Sequence, residues 1–217
     1  MSRRDNAKCL RGPSGELFWS IHLSPTAFAL PFDAACALAG AVEPSAGDPL
    51  YHPYLYGAQQ DGHARAGFYG IAGWHTKGHL VRALLEGVAF GHRQHIETIR
   101  KAGAVFNEAV LSGGGSRSLI WPQIFADVLG VPVTVARSRE TGALGAAIAA
   151  GTGVGIFADF EAGAAAMVQT ERHYRPNVSL EAHYARRYAL YKDIAETMAP
   201  LWRRLTAVQP IVAGVAA

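Results

Sequence analysis

Residues 111–121 read Leu-Ser-Gly-Gly-Gly-Ser-Arg-Ser-Leu-Ile-Trp, and apolar residues flank them in two different patterns. A short apolar run at 109–111 precedes the glycines. Apolar residues at helical spacing follow them, at Ile120, Ile124, Val128 and Leu129. This order predicts a strand, a glycine turn and a helix. Since glycine lets a ligand approach the backbone and free amides at a helix start attract anions, the turn predicts a phosphate site, with a nucleotide as first candidate.

The two common nucleotide-binding motifs do not fit this turn. The dinucleotide fingerprint requires a third residue of the glycine type, but Ser118 stands at that position, and no acidic residue closes the second strand. A P-loop requires Gly-Lys-Ser or Gly-Lys-Thr, and neither follows the glycines. A glycine turn can also be only a tight connection, so the glycines alone leave the function open.

Several further blocks of sequence accompany the turn. The pattern Trp-x-Gln-x-x-Ala-Asp-Val-Leu-Gly-x-Pro-Val continues it to residue 133. The other blocks are Ser-Pro-Thr at 24–26, His-Pro-Tyr-Leu-Tyr-Gly at 52–57, Ala-Arg-Ala-Gly-Phe-Tyr-Gly at 64–70, Arg-Ala-Leu-Leu-Glu-Gly at 82–87 and the stretch from Glu140 to Ala147. In their order and spacing along the chain, these blocks resemble the carboxy-terminal domain of the FGGY carbohydrate kinases. The Ser-Pro-Thr block at 24–26 resembles the pentulose kinase branch of that family. The resemblance spans roughly residues 17–205.

The alternation of strands and helices predicts an α/β domain. The resemblance implies a narrower class, a ribonuclease-H-like domain of the actin-like and sugar-kinase type, incomplete at its amino-terminal hairpin. We expect a poorly assigned segment at 1–16, the FGGY kinase carboxy-terminal, ATP-binding domain at 17–205 and a loose tail at 206–217.

Local patterns predict the main elements. We expect a strand at 17–22, a helix at 25–39, a long irregular segment rich in proline, glycine and aromatic residues at 42–61, and helices at about 76–102 and 180–205. Arg82 and Glu86 are four residues apart on the first long helix, so they could pair along it. Tyr54, Tyr56, Tyr69 and Trp74 could face a sugar, but packing of the irregular segment is the favoured prediction.

The resemblance implies a function and its cofactors. The family transfers the γ-phosphoryl group of ATP, with Mg²⁺, to a sugar or polyol hydroxyl, here of a pentulose-like substrate. In the family, the Asp that accepts the hydroxyl proton and one phosphate turn both precede the block matching Ser24–Thr26. Only 23 residues precede Ser24 here, and neither motif is among them; Asp5 lacks the preceding glycine and lies too close to Ser24. We therefore expect that this chain contains no catalytic residue and that the sugar binds to the missing domain. We also expect that the chain is inactive on its own.

The resemblance also places residues around the nucleotide. It puts Gly113, Gly114 and Gly115 against the α-phosphate and ribose of ATP. It puts Ser118 near adenine, where some members of the family have asparagine, and Gln123 one turn later as a support. The same glycines could serve only a tight turn. The stretch from Glu140 to Ala147 is expected to pack behind the nucleotide.

Composition narrows the partners and the location. The chain has 217 residues, half of them apolar, and a net charge of +3 with scattered Lys and Arg, so nucleic acid is not expected as a partner. The polar start predicts no signal peptide. The uncharged stretch Thr141–Ala158 is mostly glycine and alanine, which predicts a packed helix and no membrane span. Two cysteines without a metal spacing, Cys9 and Cys36, fit a reducing cytoplasm.

The remaining predictions concern metals, assembly and competing functions. The pairs His75–His79 and His92–His95 lack a third convergent ligand, so no protein-held metal is expected. A domain without its neighbour exposes an apolar face and could form a homodimer. Besides part of a kinase, two alternatives stay open: a non-catalytic nucleotide-binding or regulatory module that lost the sugar domain, and a nicotinamide oxidoreductase.

Overall fold

The computed structural model describes residues 30–105, 107–138 and 140–208. Its helices are α1 (Phe32–Gly40), α2 (Lys77–Lys101), α3 (Trp121–Leu129), α4 (Thr141–Gly153), α5 (Phe160–Met167) and α6 (Glu181–Val208). Its strands are β1 (Leu50–His52), β2 (Gly67–Tyr69), β3 (Ala109–Leu111), β4 (Val133–Ala136) and β5 (Thr170–Tyr174). The predicted strand at 17–22, the block at 24–26, Asp5 and Cys9 lie outside the described residues.

The strands form two small sheets. β1 pairs with β2 in antiparallel fashion. The second sheet has the order β3-β4-β5, with β3 parallel to β4 and β5 antiparallel to β4. The chain passes from β3 through the glycines and α3 into β4, so the predicted order of strand, glycine turn and helix is confirmed.

Helix α2 lies at the centre of the fold. It starts after Thr76, whose N–H donates to Nδ1 of His79 at 3.1 Å, and it contacts α1, α3 and β1. Gly78 allows α1 to approach, because a Cβ at that position would lie 2.6 Å from the carbonyl oxygen of Leu38. The apolar core that α2 shares with α3, β4 and α6 includes the fully buried Phe90, Ile124, Val128, Val133, Tyr184 and Tyr191.

Helix α6 is longer at its end than predicted. It runs to Val208, so the first three residues of the predicted tail are helical. Thr206 stabilises this last turn, because its hydroxyl donates to the carbonyl oxygen of Trp202 at 3.0 Å and contacts Nδ1 of His63 at 2.9 Å. A side chain from a distant loop therefore holds a helix end that carries no regular apolar pattern.

The aromatic residues of the irregular segment divide into two groups. Tyr54 and Tyr69 pack around the fully buried His52, with ring centroids 5.0 and 5.1 Å from the imidazole. Tyr56 and Trp74 are 85% and 58% exposed. Packing is thus the role of the first pair. Trp74 also packs despite its exposure, since its ring centroid lies 3.7 Å from that of His75 and a Cβ on Gly47 would lie 3.3 Å from the Trp74 ring.

Candidate functional site

The glycine turn leaves the carboxyl end of β3. Gly113 has φ +80°, a left-handed conformation that favours glycine, and it is exposed to solvent. Residues Gly114–Arg117 then form one 3₁₀ turn. A Cβ on Gly115 would lie 3.0 Å from the Trp121 ring, so that glycine allows the turn to pack on α3. Backbone geometry therefore explains two of the three glycines without a ligand.

Three successive backbone N–H groups in this turn have no acceptor among the described residues, those of Gly113, Gly114 and Gly115. The turn is held instead through carbonyls: Gly113 O accepts from N and Oγ of Ser116, at 3.1 and 2.7 Å. Unpaired N–H groups on consecutive residues attract anions. Ligands of open α/β sheets also bind beyond the carboxyl ends of the strands, which is where this turn lies.

Ser118 lies inside the protein and is only 2% exposed. Its Oγ accepts hydrogen bonds from the backbone N–H groups of Ile120 and Trp121, at 3.2 and 3.0 Å. The Ser118 hydroxyl also makes a hydrogen bond with the thiol of Cys36. Burial raises the pKa of that thiol, and the hydrogen bond opposes the rise only in part. In this structure Ser118 shapes the start of α3, and its contact with adenine stays a prediction.

Gln123 is half-buried on α3. Its side-chain amide donates to Oδ1 of Asp127 and to the carbonyl oxygen of Arg175, both at 2.8 Å. The same Asp127 oxygen accepts from the backbone N–H of Asn177 at 2.8 Å. Gln123 therefore ties α3 to the segment between β5 and α6, and a supporting role beside a nucleotide stays a prediction.

Arg172 on β5 also contacts the turn, and no local pattern in the sequence points to it. Its guanidinium donates to the carbonyl oxygens of Ser116 and Ser118, the second at 3.1 Å, and to the hydroxyl of Tyr174 at 2.9 Å. The useful signal would have been the register of β5, in which Arg172 lies opposite the buried Val135. Strand register between residues so distant in sequence is not visible in a local pattern.

The stretch from Glu140 to Ala147 forms the start of α4. α4 packs on α5 through small residues, because a Cβ on Gly163 would lie 2.7 Å from Ile148. Most of the outer alanines and glycines of α4 are exposed. Whether this block packs behind a nucleotide stays a prediction.

The other grooves of the described residues lie away from the glycine turn. Two open grooves, of about 590 and 620 Å³, lie beside the β4–β5 segment and between the 53–60 loop and α2, and the glycine turn lines neither. In the described part of the chain, no three His, Cys, Asp or Glu side chains converge as metal ligands. No helix within those ranges has the length and apolar character needed to cross a membrane.

Comparison with known proteins finds carbohydrate kinases both in the family model and among the relatives. The family described as "FGGY family of carbohydrate kinases, C-terminal domain" matches residues 23–154, a range that contains the glycine turn. The L-xylulose/3-keto-L-gulonate kinase of Escherichia coli (strain K12) is 30% identical over 75% of this chain and 33% of its own length. The xylulose kinase of Bacillus subtilis (strain 168) is 32% identical over 67% of this chain and 30% of its own length.

Solved structures give the same result for the fold. The xylulose kinase from Rhodospirillum rubrum superposes with a TM-score of 0.70 at 33% identity, covering 78% of this chain and 34% of that one. The ligand-bound xylulose kinase from Lactobacillus acidophilus, at 24% identity, shares the fold with a TM-score of 0.72. These sugar kinases confirm the α/β, ribonuclease-H-like class. The chain spans about a third of the length of the curated relatives it matches.

Proposed function

The chain belongs to the FGGY family of carbohydrate kinases, and from that premise we propose that it is the carboxy-terminal, nucleotide-binding part of an ATP-dependent kinase. The observation that carries the proposal is the set of three adjacent backbone N–H groups at Gly113–Gly115. These groups have no acceptor among the described residues and follow the carboxyl end of β3, with Gly113 exposed and the other two glycines half-buried. The relatives at 30–32% identity named above are kinases of xylulose or L-xylulose, which favours a pentulose or a similar polyol as the substrate of the whole protein.

The turn fits a polyphosphate. Phosphoryl transfer depends on positioning and on electrostatic stabilisation of the phosphates, and backbone N–H groups supply both without a mobile side chain. Gly113 presents no side chain, and a Cβ there would have no atom within 4 Å, so the approach to its backbone is open. When bound, ATP supplies the phosphoryl group and Mg²⁺ neutralises its charge. Mg²⁺ in nucleotide sites keeps several waters and is bound largely through the substrate phosphates, so we propose the same mode here.

We assign the proton-accepting carboxylate to a part of the relatives' length that this chain does not span. The chain covers about a third of those proteins, and neither the proton-accepting Asp nor the phosphate turn expected from the resemblance is found before Ser24. A sugar or sugar alcohol would then bind through that other part, and this chain would contribute the nucleotide.

Calorimetric titration tests the nucleotide proposal. The 217-residue chain should bind ATP with Mg²⁺ more tightly than NAD, since the turn lacks the dinucleotide fingerprint. Equal or tighter binding of NAD would favour the oxidoreductase alternative, and binding of neither would contradict the proposal.

A second experiment separates a kinase part from a regulatory module. The chain is mixed with a separately expressed amino-terminal domain of a xylulose kinase relative, and sugar-dependent ADP release is followed. Turnover by the mixture supports the kinase assignment. Retained ATP binding with no turnover, while the relative's own two domains recombine productively, supports the non-catalytic module.

A further inference from the structure

Arg172 holds the backbone of the glycine turn from a distant strand. Within the turn, the hydrogen bonds from Ser116 N and Oγ to Gly113 O and from Ser118 N to Gly115 O each span only three positions. Arg172 reaches the turn from β5, more than 50 residues further along the chain, and contacts two of its carbonyls. A glycine-rich turn has high conformational freedom when unconstrained, so a contact from a rigid strand restricts it strongly.

The path from Arg172 to the unpaired N–H groups is short. Its guanidinium fixes the carbonyl of Ser116, and the N–H and hydroxyl of the same residue bond to the carbonyl of Gly113. The Gly113 carbonyl and the Gly114 N–H belong to one trans peptide, in which the two groups point in opposite directions. Holding the carbonyl towards Ser116 therefore holds the Gly114 N–H away from it, free for an anion.

Both the shape and the charge of arginine matter here. A guanidinium is planar, always charged, and can donate to two carbonyls at once, whereas a lysine ammonium is a point charge on a flexible stem. Arg172 is half-buried between the turn and Tyr174, with its charge behind the carbonyls. A bound phosphate in front of the N–H groups would be attracted by the same charge.

We propose that Arg172 is a positioning residue that keeps the turn at residues 113–118 in the conformation whose N–H groups receive a nucleotide phosphate. This inference rests on the proposed function of the turn. It adds a residue from β5 to a site that otherwise consists of backbone.

The test uses the full 217-residue chain with Arg172→Lys and Arg172→Ala. We expect Arg172→Lys to weaken ATP binding by about tenfold while retaining the charge, because it cannot bridge both carbonyls. Amide hydrogen exchange at Ser116 and Ser118, measured by NMR without nucleotide, should accelerate in both variants and stay unchanged in α6. ATP affinity of Arg172→Lys equal to wild type, or unchanged exchange in the turn, would overturn the proposal.

Two controls separate positioning from general effects. Tyr174→Phe removes only the hydroxyl that Arg172 also contacts and leaves both carbonyl contacts, so ATP affinity should stay within about twofold. Arg175→Ala removes the same charge from an exposed neighbour and should likewise have little effect. An equal loss in Arg175→Ala would show that net charge, and not the bridge, determines affinity. A wild-type chain that binds no ATP would refute the proposed function, while the exchange measurement would still report whether Arg172 orders the turn.

Discussion

Nε of Arg82 donates to Oε1 of Glu86 at 2.8 Å, one turn along α2, and both side chains are buried. The hydroxyl of Tyr184 on α6 lies 3.1 Å from the Arg82 guanidinium and donates to the same carboxylate oxygen at 3.0 Å. Burial raises the pKa of Glu86, and the charges of Arg82 and Arg187 oppose that rise. The predicted pair along the helix is therefore confirmed, and it also joins α2 to α6.

Removing one partner of this pair should be strongly destabilising. Arg82→Met would leave a buried carboxylate without its ion partner, so we expect a loss of about 3–5 kcal/mol in the free energy of unfolding. Urea denaturation measures the change. Lys192→Gln serves as the comparison, because Lys192 lies 4.0 Å from Glu97 at a partly exposed site, where the loss should stay below about 1 kcal/mol. Equal losses in the two variants would contradict a structural role for the buried pair.

Gly114→Val should weaken nucleotide affinity more than it lowers the melting temperature. The branched valine side chain would stand beside the three N–H groups and keep the phosphates away from them. Stability should change less, because only one short 3₁₀ turn contains this residue. Calorimetry with ATP and Mg²⁺, together with thermal unfolding, checks both quantities. Gly115→Ala is the structural comparison, since its methyl group would meet Trp121 and lower stability directly. Unchanged affinity in Gly114→Val would remove the turn from the site.

The 217-residue chain alone should show no sugar-dependent turnover of ATP. The reason is the proposed location of the proton-accepting carboxylate in a part of the relatives that the chain does not span. A coupled assay for ADP with xylulose and ribulose measures this. A clear sugar-stimulated signal from pure protein would overturn that assignment and require a base within this chain.

Acid should destabilise the fold partly through His52. Burial lowers the pKa of His52 from 6.5 to about 4, and its Nε2 lies 2.9 Å from the carbonyl oxygen of Tyr191. The imidazole of His52 binds a proton more readily in the unfolded chain than in the folded one. The stability that the neutral ring contributes is therefore present above about pH 6.5 and is lost as the pH falls toward 4. Between pH 7 and pH 5 we expect the free energy of unfolding to fall by about 2 kcal/mol.

His52→Gln isolates this effect, since glutamine does not titrate. Burial also lowers the pKa of His92 and His183, so both proteins should lose stability in acid. The informative quantity is the difference between wild type and variant in unfolding free energy at pH 7 and at pH 5. If both proteins have the same pH dependence, His52 does not contribute.

The sequence allowed prediction of the parts of the fold that depend on neighbouring residues. The strand, glycine turn and helix around Gly113, the long helix α2 and the Arg82–Glu86 pair all follow from short-range patterns. The narrower fold class came from the resemblance, and the sugar-kinase structures confirm it.

Features that depend on contacts across the chain were not predictable. The buried position of Ser118, whose Oγ accepts from the N–H groups of Ile120 and Trp121, is not revealed by a local pattern, and its contact with adenine stays a prediction. Arg172 lies beside the turn only through the pairing of β5 with β4, which a local pattern does not show. α6 extends to Val208, and the contact of Thr206 with His63, far away in sequence, is likewise invisible in a local pattern.

The most direct test of the central claim follows the N–H groups of the turn themselves. In the ¹⁵N-labelled chain, titration with ATP and Mg²⁺ should shift the amide resonances of Gly113, Gly114 and Gly115 together, with adenosine producing much smaller shifts because it lacks phosphates. If these three resonances stay unchanged at saturating ATP, the turn does not bind the polyphosphate and the account is contradicted.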